Sequence, residues 1–271
     1  MSTELVPVDD LKNLYPTLGD PDMMEALTAN LDGDTVGMFD LDRVTVPPGA
    51  GTMWNVPGLD GMEAAKELRG VIIGIIGRRS YWEVSLDEQK EPTPPDCSSD
   101  DAKFGRGLYG IGSDLHPTGE CASCPMNQFQ EVRGRNTKPC GEQRLILLLR
   151  EGTMLPVVVQ LSPTSMRELK AHMLRLASSG VPYYKAITVL GLKKVDATPA
   201  YSVVVPSMAG RIDAESATTL KKLGDDVVAA YNAAAAAGLA AARDTVTRDA
   251  VDATGAESPK GDAKATSSSK S

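Results

Sequence analysis

Apolar residues between positions 69 and 207 occur in short runs and alternating stretches, a pattern that predicts β-strands. The first stretch, RGVIIGIIGRRSYWEVSL, starts at residue 69, and its Gly74 and Gly77 indicate a bend or bulge. The pattern predicts four further strands, at residues 142–150, 154–161, 186–195 and 200–207. The middle of the chain is therefore predicted to be a β-domain.

Two stretches have helical spacing instead. A helix is predicted to begin at Ser162 and Pro163, which suit a helix N-terminus, and to end at Gly180. Residues 213–250 carry apolar side chains at intervals of three and four around an alanine-rich centre, which predicts a long amphipathic helix weakened by Gly224 and Gly238. Residues 251–271 are poor in apolar side chains and are predicted to be disordered.

The predicted order is strand, insertion, strand, strand, helix, strand, strand. Without the insertion this is the element order of an OB-fold, a five-stranded barrel with a helix between its third and fourth strands. The predicted fold class is therefore α+β, mostly β: an OB-fold-like barrel over residues 69–212, with an insertion at 94–141 and a long C-terminal helix. An α+β sheet with one helix would give a similar order.

Residues 1–68 are predicted to be an acidic lead-in with short elements. A helix at Pro21 to Leu31 follows a capping Asp20, and a strand is predicted at residues 43–46. The spacing of apolar residues predicts a second short helix at residues 61–68. Acidic flanks could compete with phosphate for a basic surface, and they could equally be solvated surface.

All four cysteines lie within the insertion: Cys97, Cys121, Cys124 and Cys140. A Cys-x2-Cys pair with further cysteines upstream and downstream has the spacing of a tetrahedral zinc site. A tight turn can direct the sulfurs of Cys121 and Cys124 toward one ion, and Pro125 ends that turn. Four thiolates leave no coordination position for water, so the predicted Zn2+ is structural rather than catalytic.

The cysteines have three other interpretations. Disulfides require an oxidising compartment, and no export signal is visible in the acidic N-terminus. A thioredoxin-like motif requires a βαβ setting that the residues around Cys121 do not supply. His116 could replace Cys97 as a ligand, because it lies just before the pair and His is a common zinc ligand.

The charge distribution and the lengths of the apolar runs limit which classes of protein the chain could belong to. The chain has 271 residues and a net charge of −8, but residues 67–212 carry 18 basic and 15 acidic side chains while both flanks are acidic. The longest apolar runs, at residues 71–77, 145–149 and 157–159, are too short to span a bilayer. An intracellular protein without a membrane segment is expected.

An enzyme is not expected. The chain contains no G-x-S-x-G elbow, no phosphate-binding P-loop and no H-E-x-x-H motif. With only two histidines, it has few side chains suited to acid–base chemistry at neutral pH.

The motifs PDC at Cys97, CASCP at Cys121, KPC at Cys140, the LILLL strand and the LSPTS helix start resemble a family of bacteriophage single-stranded-DNA-binding proteins. The resemblance covers roughly residues 69–207. In architecture it is similar to the zinc-containing helix-destabilising protein of T-even phages, although that protein uses a His among its ligands. The resemblance implies a replication or recombination protein in the host cytoplasm that coats single strands without reading sequence.

Binding a single strand requires cations for phosphates and aromatic faces for bases. The predicted nucleic-acid-binding residues combine both kinds: Arg78, Arg79, Tyr81, Trp82, Arg133, Arg135, Lys138 and Arg144. Trp82 could equally belong to the core. The rival hypothesis is a zinc-stapled protein–protein interaction or structural adaptor without nucleic-acid binding. In either case, replication proteins or a second copy could bind the C-terminal helix.

Overall fold

The computed structural model describes residues 21–32, 37–84, 88, 91, 93–132 and 134–254. The helices are α1 (Pro21–Leu31), α2 (Met166–Ser178) and α3 (Ala214–Thr254). The strands are β1 (Arg43–Thr45), β2 (Trp54–Gly58), β3 (Gly61–Ala65), β4 (Glu67–Tyr81), β5 (Cys97–Ser99), β6 (Arg106–Gly107), β7 (Gln130–Val132), β8 (Arg135–Thr137), β9 (Gly141–Arg150), β10 (Val157–Leu161), β11 (Ala186–Val195) and β12 (Tyr201–Arg211). Short 3-10 turns occur at Pro125–Asn127, Pro163–Ser165 and Tyr183–Lys185.

The fold is mixed α+β, and a curled sheet forms half of a barrel with α3 packed against it. The main strand order is β1-β10-β9-β4-β11-β12. The long central strand β4 pairs antiparallel with β9 on one side and with β11 on the other. β10 pairs antiparallel with β9 and parallel with β1, while β5 and β6 extend the sheet beyond the end of β4.

The five strands predicted between residues 69 and 207 correspond to β4, β9, β10, β11 and β12. The two helices predicted after residue 161 correspond to α2 and α3. The prediction of α1 and of a strand near residue 43 is also confirmed. The main path has six strands rather than five, because β1 adds to the edge of β10. Residues 1–20, 33–36 and 255–271, which include most of the predicted tail, lie outside the described residues.

The predicted helix at residues 61–68 is wrong. This segment is strand β3 followed by the start of β4, and β3 pairs with β2 in a hairpin. Gly61 closes the hairpin turn with φ +123°, a positive value that glycine adopts readily. An α-helix requires a negative φ, so no helix begins at this residue. The helical spacing of Met62, Ala65 and Leu68 was therefore coincidental, since Leu68 belongs to the next strand and is fully buried.

The sheet is buried on both faces, which explains its continuous apolar runs. Along β9, Leu145, Leu147 and Leu149 contribute to the core beneath α3, whereas Ile146 and Leu148 contribute to the interior of the half-barrel. Side chains alternate between faces along a strand, so one apolar run supplies two cores.

Helix α3 lies unusually close to β4, and two glycines allow this approach. The register of β4 against β9 shifts between Ile72 and Gly74, which leaves Ile73 in a bulge. A Cβ at Gly224 of α3 would overlap the carbonyl group of Ile73. A Cβ at Gly74 would lie 2.9 Å from the side chain of Val228 on the helix. The predicted bend of β4 is thus a bulge that receives the helix.

Side-chain hydrogen bonds, rather than a strand ladder, bridge the open side of the half-barrel. No ladder joins β10 to β12 among the described residues. The indole N–H of Trp54 in β2 instead donates to the carbonyl of Leu190 in β11, at 2.9 Å. The edge of β12 is also protected: the N–H of Val204 donates to Ser165 Oγ at 3.0 Å, and Pro206 has no N–H to offer.

In the described part of the chain, no helix combines the length and the apolar composition that crossing a bilayer requires.

We predict that Gly224→Ala lowers the free energy of unfolding by about 1–2 kcal/mol. Overpacking against the Ile73 carbonyl costs roughly 1–3 kcal/mol, and the better helix propensity of alanine offsets part of it. Gly238→Ala is the matched control, because its Cβ would meet only the flexible end of Arg106. Urea denaturation of both variants checks this, and equal stability of the two would contradict the close approach.

Candidate metal centre and adjoining groove

The four cysteines reach one place from three parts of the chain. Cys97 opens β5 and pairs with Tyr81 at the end of β4. Cys121 and Cys124 lie on either side of a turn that Pro125 continues as a 3-10 helix. The N–H of Cys140 donates to the Met126 carbonyl at 2.9 Å, which places Cys140 beside that turn.

All four cysteines line the same cavity, whose volume is about 10 Å3. This is roughly enough room for one water-sized particle. No disulfide joins the cysteines, and Gly105 packs so closely that a Cβ there would lie 3.0 Å from Cys97 Sγ. His116 is not among the lining residues, and its Nε2 instead lies 2.9 Å from the carbonyl oxygen of Glu120.

The thiols share the cavity without being arranged as metal ligands. Among the described residues, no three or more His, Cys, Asp and Glu side chains form a group that could hold a metal ion. Burial raises the pKa of Cys97, Cys121 and Cys140, in the last case to about 11. These thiols are therefore protonated at neutral pH, and a metal ion would have to displace their protons to bind.

Arg79 and Asn127 form the polar wall of the cavity. Arg79 Nη1 donates to Asn127 Oδ1 at 2.7 Å, and Asn127 Nδ2 donates to the Cys121 carbonyl at 2.6 Å. Lys138 Nζ also donates to Asn127 Oδ1, at 3.4 Å. The positive charge of Arg79 opposes the effect of burial by lowering the pKa of Cys121 and Cys140. Asn127 thus joins the cysteine turn to Arg79 and to a lysine at the surface.

Arg78 takes part in a separate ion-pair network. Its Nη2 donates to Asp100 Oδ1 at 2.7 Å, and Arg106 pairs with the other oxygen of the same carboxylate. Asp100 follows β5 directly, and Arg106 reaches Gly238 of α3. Tyr231 of α3 is buried near these charges, and burial raises its pKa. This network connects the cysteine region to the long helix.

A groove with a volume of about 360 Å3 adjoins the cysteine region. Trp82 forms part of its wall, and the indole N–H donates to the Thr93 carbonyl at 3.1 Å. Gln160 Nε2 donates to Gln143 Oε1 at 3.1 Å within the groove. The lining contains no charged side chain: Thr45, Val46, Ser80, Trp82, Pro139, Gly141, Gln143, Gln160, Ser162 and Pro163.

β7 and β8 form a hairpin in the same region. We call this hairpin, together with the flanking Phe129 and Lys138, the finger. The Phe129 ring is 69% exposed, and Lys138 Nζ lies 5.2 Å from its centre in a cation–π contact. Lys138 immediately precedes Pro139 of the groove.

The other predicted nucleic-acid-binding residues have different surroundings. Tyr81 lines the cysteine cavity and packs edge-to-face on Tyr109, with ring centres 5.5 Å apart. Arg144 pairs with Glu142 at 2.7 Å. Arg133 lies outside the described residues, as does the side chain of Arg135. The structure therefore brings Trp82, Lys138 and Arg144 near open surface and directs Arg78 and Arg79 into protein contacts.

Sequence reasoning missed two residues that organise this region, Asn127 and Asp100. Asn127 is a neutral residue in a polar turn, and only its burial beside Cys121 reveals its role. Asp100 lies in a loop with several other acidic residues, and nothing in the local sequence distinguishes it from them. Its partners are 22 and 6 residues away, so no local spacing identified them.

The chain was compared with protein-family models, with curated proteins and with solved structures, and no significant match was found.

We predict that Asp100→Asn destabilises the protein by about 1–3 kcal/mol, because two guanidinium groups lose the charge that they share. Asp196→Asn is the matched control, since Asp196 is 86% exposed and its pair with Lys194 should contribute little. Thermal and urea denaturation measure both variants. A loss for Asp100→Asn no greater than for the control would contradict a structural role for the network.

Proposed function

We propose that the protein binds single-stranded DNA without sequence preference and supports phage DNA replication or recombination, with a structural Zn2+ held by Cys97, Cys121, Cys124 and Cys140. The observation that carries this proposal is the placement of an exposed aromatic–cation pair beside a neutral groove with an aromatic wall. Bases stack on aromatic faces and cations contact phosphates, so the groove and the finger supply complementary halves of a strand-binding surface.

The pairing of the strands supports an OB-fold relationship. The first strand of the five, β4, pairs with both the second and the fourth, which is compatible with a Greek-key barrel such as the OB-fold. OB-folds bind oligonucleotides on the face of their second and third strands and with the loop that joins the first two. Here Gln143 and Gln160, from the second and third strands, line the groove, and the cysteine insertion is that loop.

The chemical identity of the donors supports zinc, although the described side chains are not arranged as a metal-binding group. Four thiols from one turn and two distant segments line one small cavity, and thiolate is the ligand that structural zinc sites use most. Bound there, the ion would supply a crosslink between β5, the Cys121–Cys124 turn and the start of β9. Through Asn127, that crosslink would also fix Lys138 and hence the finger.

The overall negative charge does not preclude phosphate binding, because contacts are local. The groove lining is neutral, and the finger carries Lys138 with Arg133 and Arg135 in its sequence. Few phosphate contacts imply a modest salt dependence of affinity, since each contact contributes roughly one unit to the salt slope.

We predict that the purified chain contains about one zinc per molecule and that chelation lowers its melting temperature, because the crosslink between three segments is lost. Cys124→Ser should lose the metal, whereas the neighbouring control Ser123→Ala should retain it. Metal analysis by mass spectrometry checks both. Protein without zinc, or Cys124→Ser with a normal zinc content, would refute the proposed centre.

We predict that Trp82→Ala weakens binding to an oligo-dT strand by about 1–3 kcal/mol, because one stacked base loses its aromatic face. Lys138→Ala should weaken binding less and reduce the salt slope by about one unit. Lys222→Ala and Tyr201→Ala are matched controls, because they change an exposed lysine on α3 and an exposed aromatic residue on β12. Fluorescence anisotropy at several salt concentrations measures all four.

A zinc-containing chain that fails to bind oligo-dT at low salt would favour the adaptor hypothesis. The same conclusion would follow if binding did not weaken as salt increases, because phosphate contacts release counterions. Normal binding by Trp82→Ala would place the strand elsewhere on the protein.

A further inference from the structure

Arg79 points from β4 into the wall of the cysteine cavity rather than into solvent. Its side chain is 15% exposed, and its guanidinium contacts Asn127 Oδ1 at 2.7 Å and the Glu142 carboxylate at 3.4 Å. Asn127 is buried and also holds the Cys121 carbonyl. The Asn127 side chain therefore links the Arg79 guanidinium to the Cys121–Cys124 turn by hydrogen bonds.

A nearby cation would stabilise a four-thiolate zinc site. Four thiolates outnumber the two positive charges of Zn2+, so the site would be anionic, and burying unbalanced charge is costly. Arginine remains protonated under all ordinary conditions, and its planar group can donate in several directions at once. Arg79 is the arginine that lines this cavity within the described chain.

The neighbouring arginine, Arg78, does not share the position of Arg79 beside the cysteines. Arg78 has the same chemistry, but it pairs with Asp100 at 2.7 Å and does not line the cavity. Successive side chains of a strand point to opposite faces, so two neighbouring arginines serve different surroundings.

We propose that Arg79 is a positioning residue of the metal centre, where its guanidinium balances the charge of the thiolates and orients Asn127 against the Cys121–Cys124 turn. This inference rests on the proposed zinc site. It also separates Arg79 from the strand-binding surface, to which sequence reasoning assigned it.

The test compares zinc affinity in full-length chains by competition with a chromogenic chelator. Arg79→Gln should bind zinc about 10–100-fold more weakly than wild type, the usual effect of losing a residue that supports metal ligands. Arg79→Lys should recover part of the loss, because it keeps the charge but not the planar donor group. Arg78→Gln is the matched control and should keep wild-type zinc affinity.

A second readout separates positioning from stability. With Co2+ in place of zinc, the thiolate-to-metal absorption of Arg79→Gln should shift from that of wild type, while that of Arg78→Gln should not. A Co2+ absorption spectrum of Arg79→Gln equal to that of wild type would overturn the assignment.

Other outcomes overturn the inference in distinguishable ways. Equal zinc affinity of wild type and Arg79→Gln, or an equal loss in Arg78→Gln, overturns it while leaving the zinc site in place. Wild-type protein that binds no zinc overturns both.

If Arg79→Gln does not fold, Glu142→Gln tests the same idea from the opposite direction. Removing the carboxylate that partly neutralises Arg79 should tighten zinc binding, and unchanged or weaker binding would overturn the proposal.

Discussion

The burial of β4 on both faces is the constraint on which the rest of the structure depends. One face of this strand closes the half-barrel interior, and the other receives α3 at a bulge. The helix can lie this close only because glycines occupy both sides of the contact, at positions 74 and 224. The strand then continues beyond the helix-covered core to Tyr81, where it meets β5 and the cysteine insertion. A strand held so firmly at its centre gives the insertion a fixed base.

The insertion is attached to this base by polar contacts rather than by an apolar core. Arg78 reaches Asp100 on one side, and Arg79 reaches Asn127 on the other. Charged contacts of this kind depend on geometry, because each buried charge needs its partner. Under the proposed function, a metal crosslink between the cysteines would stabilise that geometry, which the core of the chain does not reach.

Under the proposed function, the groove and the finger divide the work of binding. Neutral amides, hydroxyls and Trp82 line the place where bases would lie, while Lys138 stands at its margin over Phe129. Stacking on Trp82 would use the face of a base rather than its hydrogen-bonding edge, so this contact would impose little preference on the base that enters. Sequence-independent coating requires this property, since every base has a face that can stack.

The sequence by itself determined the elements with a strong local signal: five of the six strands on the main path of the half-barrel sheet, α1 at Pro21–Leu31, and the two longer helices. It also identified the four cysteines as a group, because their spacing is a local property. Only the tertiary structure decided which segments lie together. Periodicity could not separate the β2–β3 hairpin from a helix, since both can fit a few apolar residues. Nor could it identify Asp100 and Asn127 as the partners of Arg78 and Arg79, or place Asn127 beside Cys121, because those contacts join residues distant in the chain.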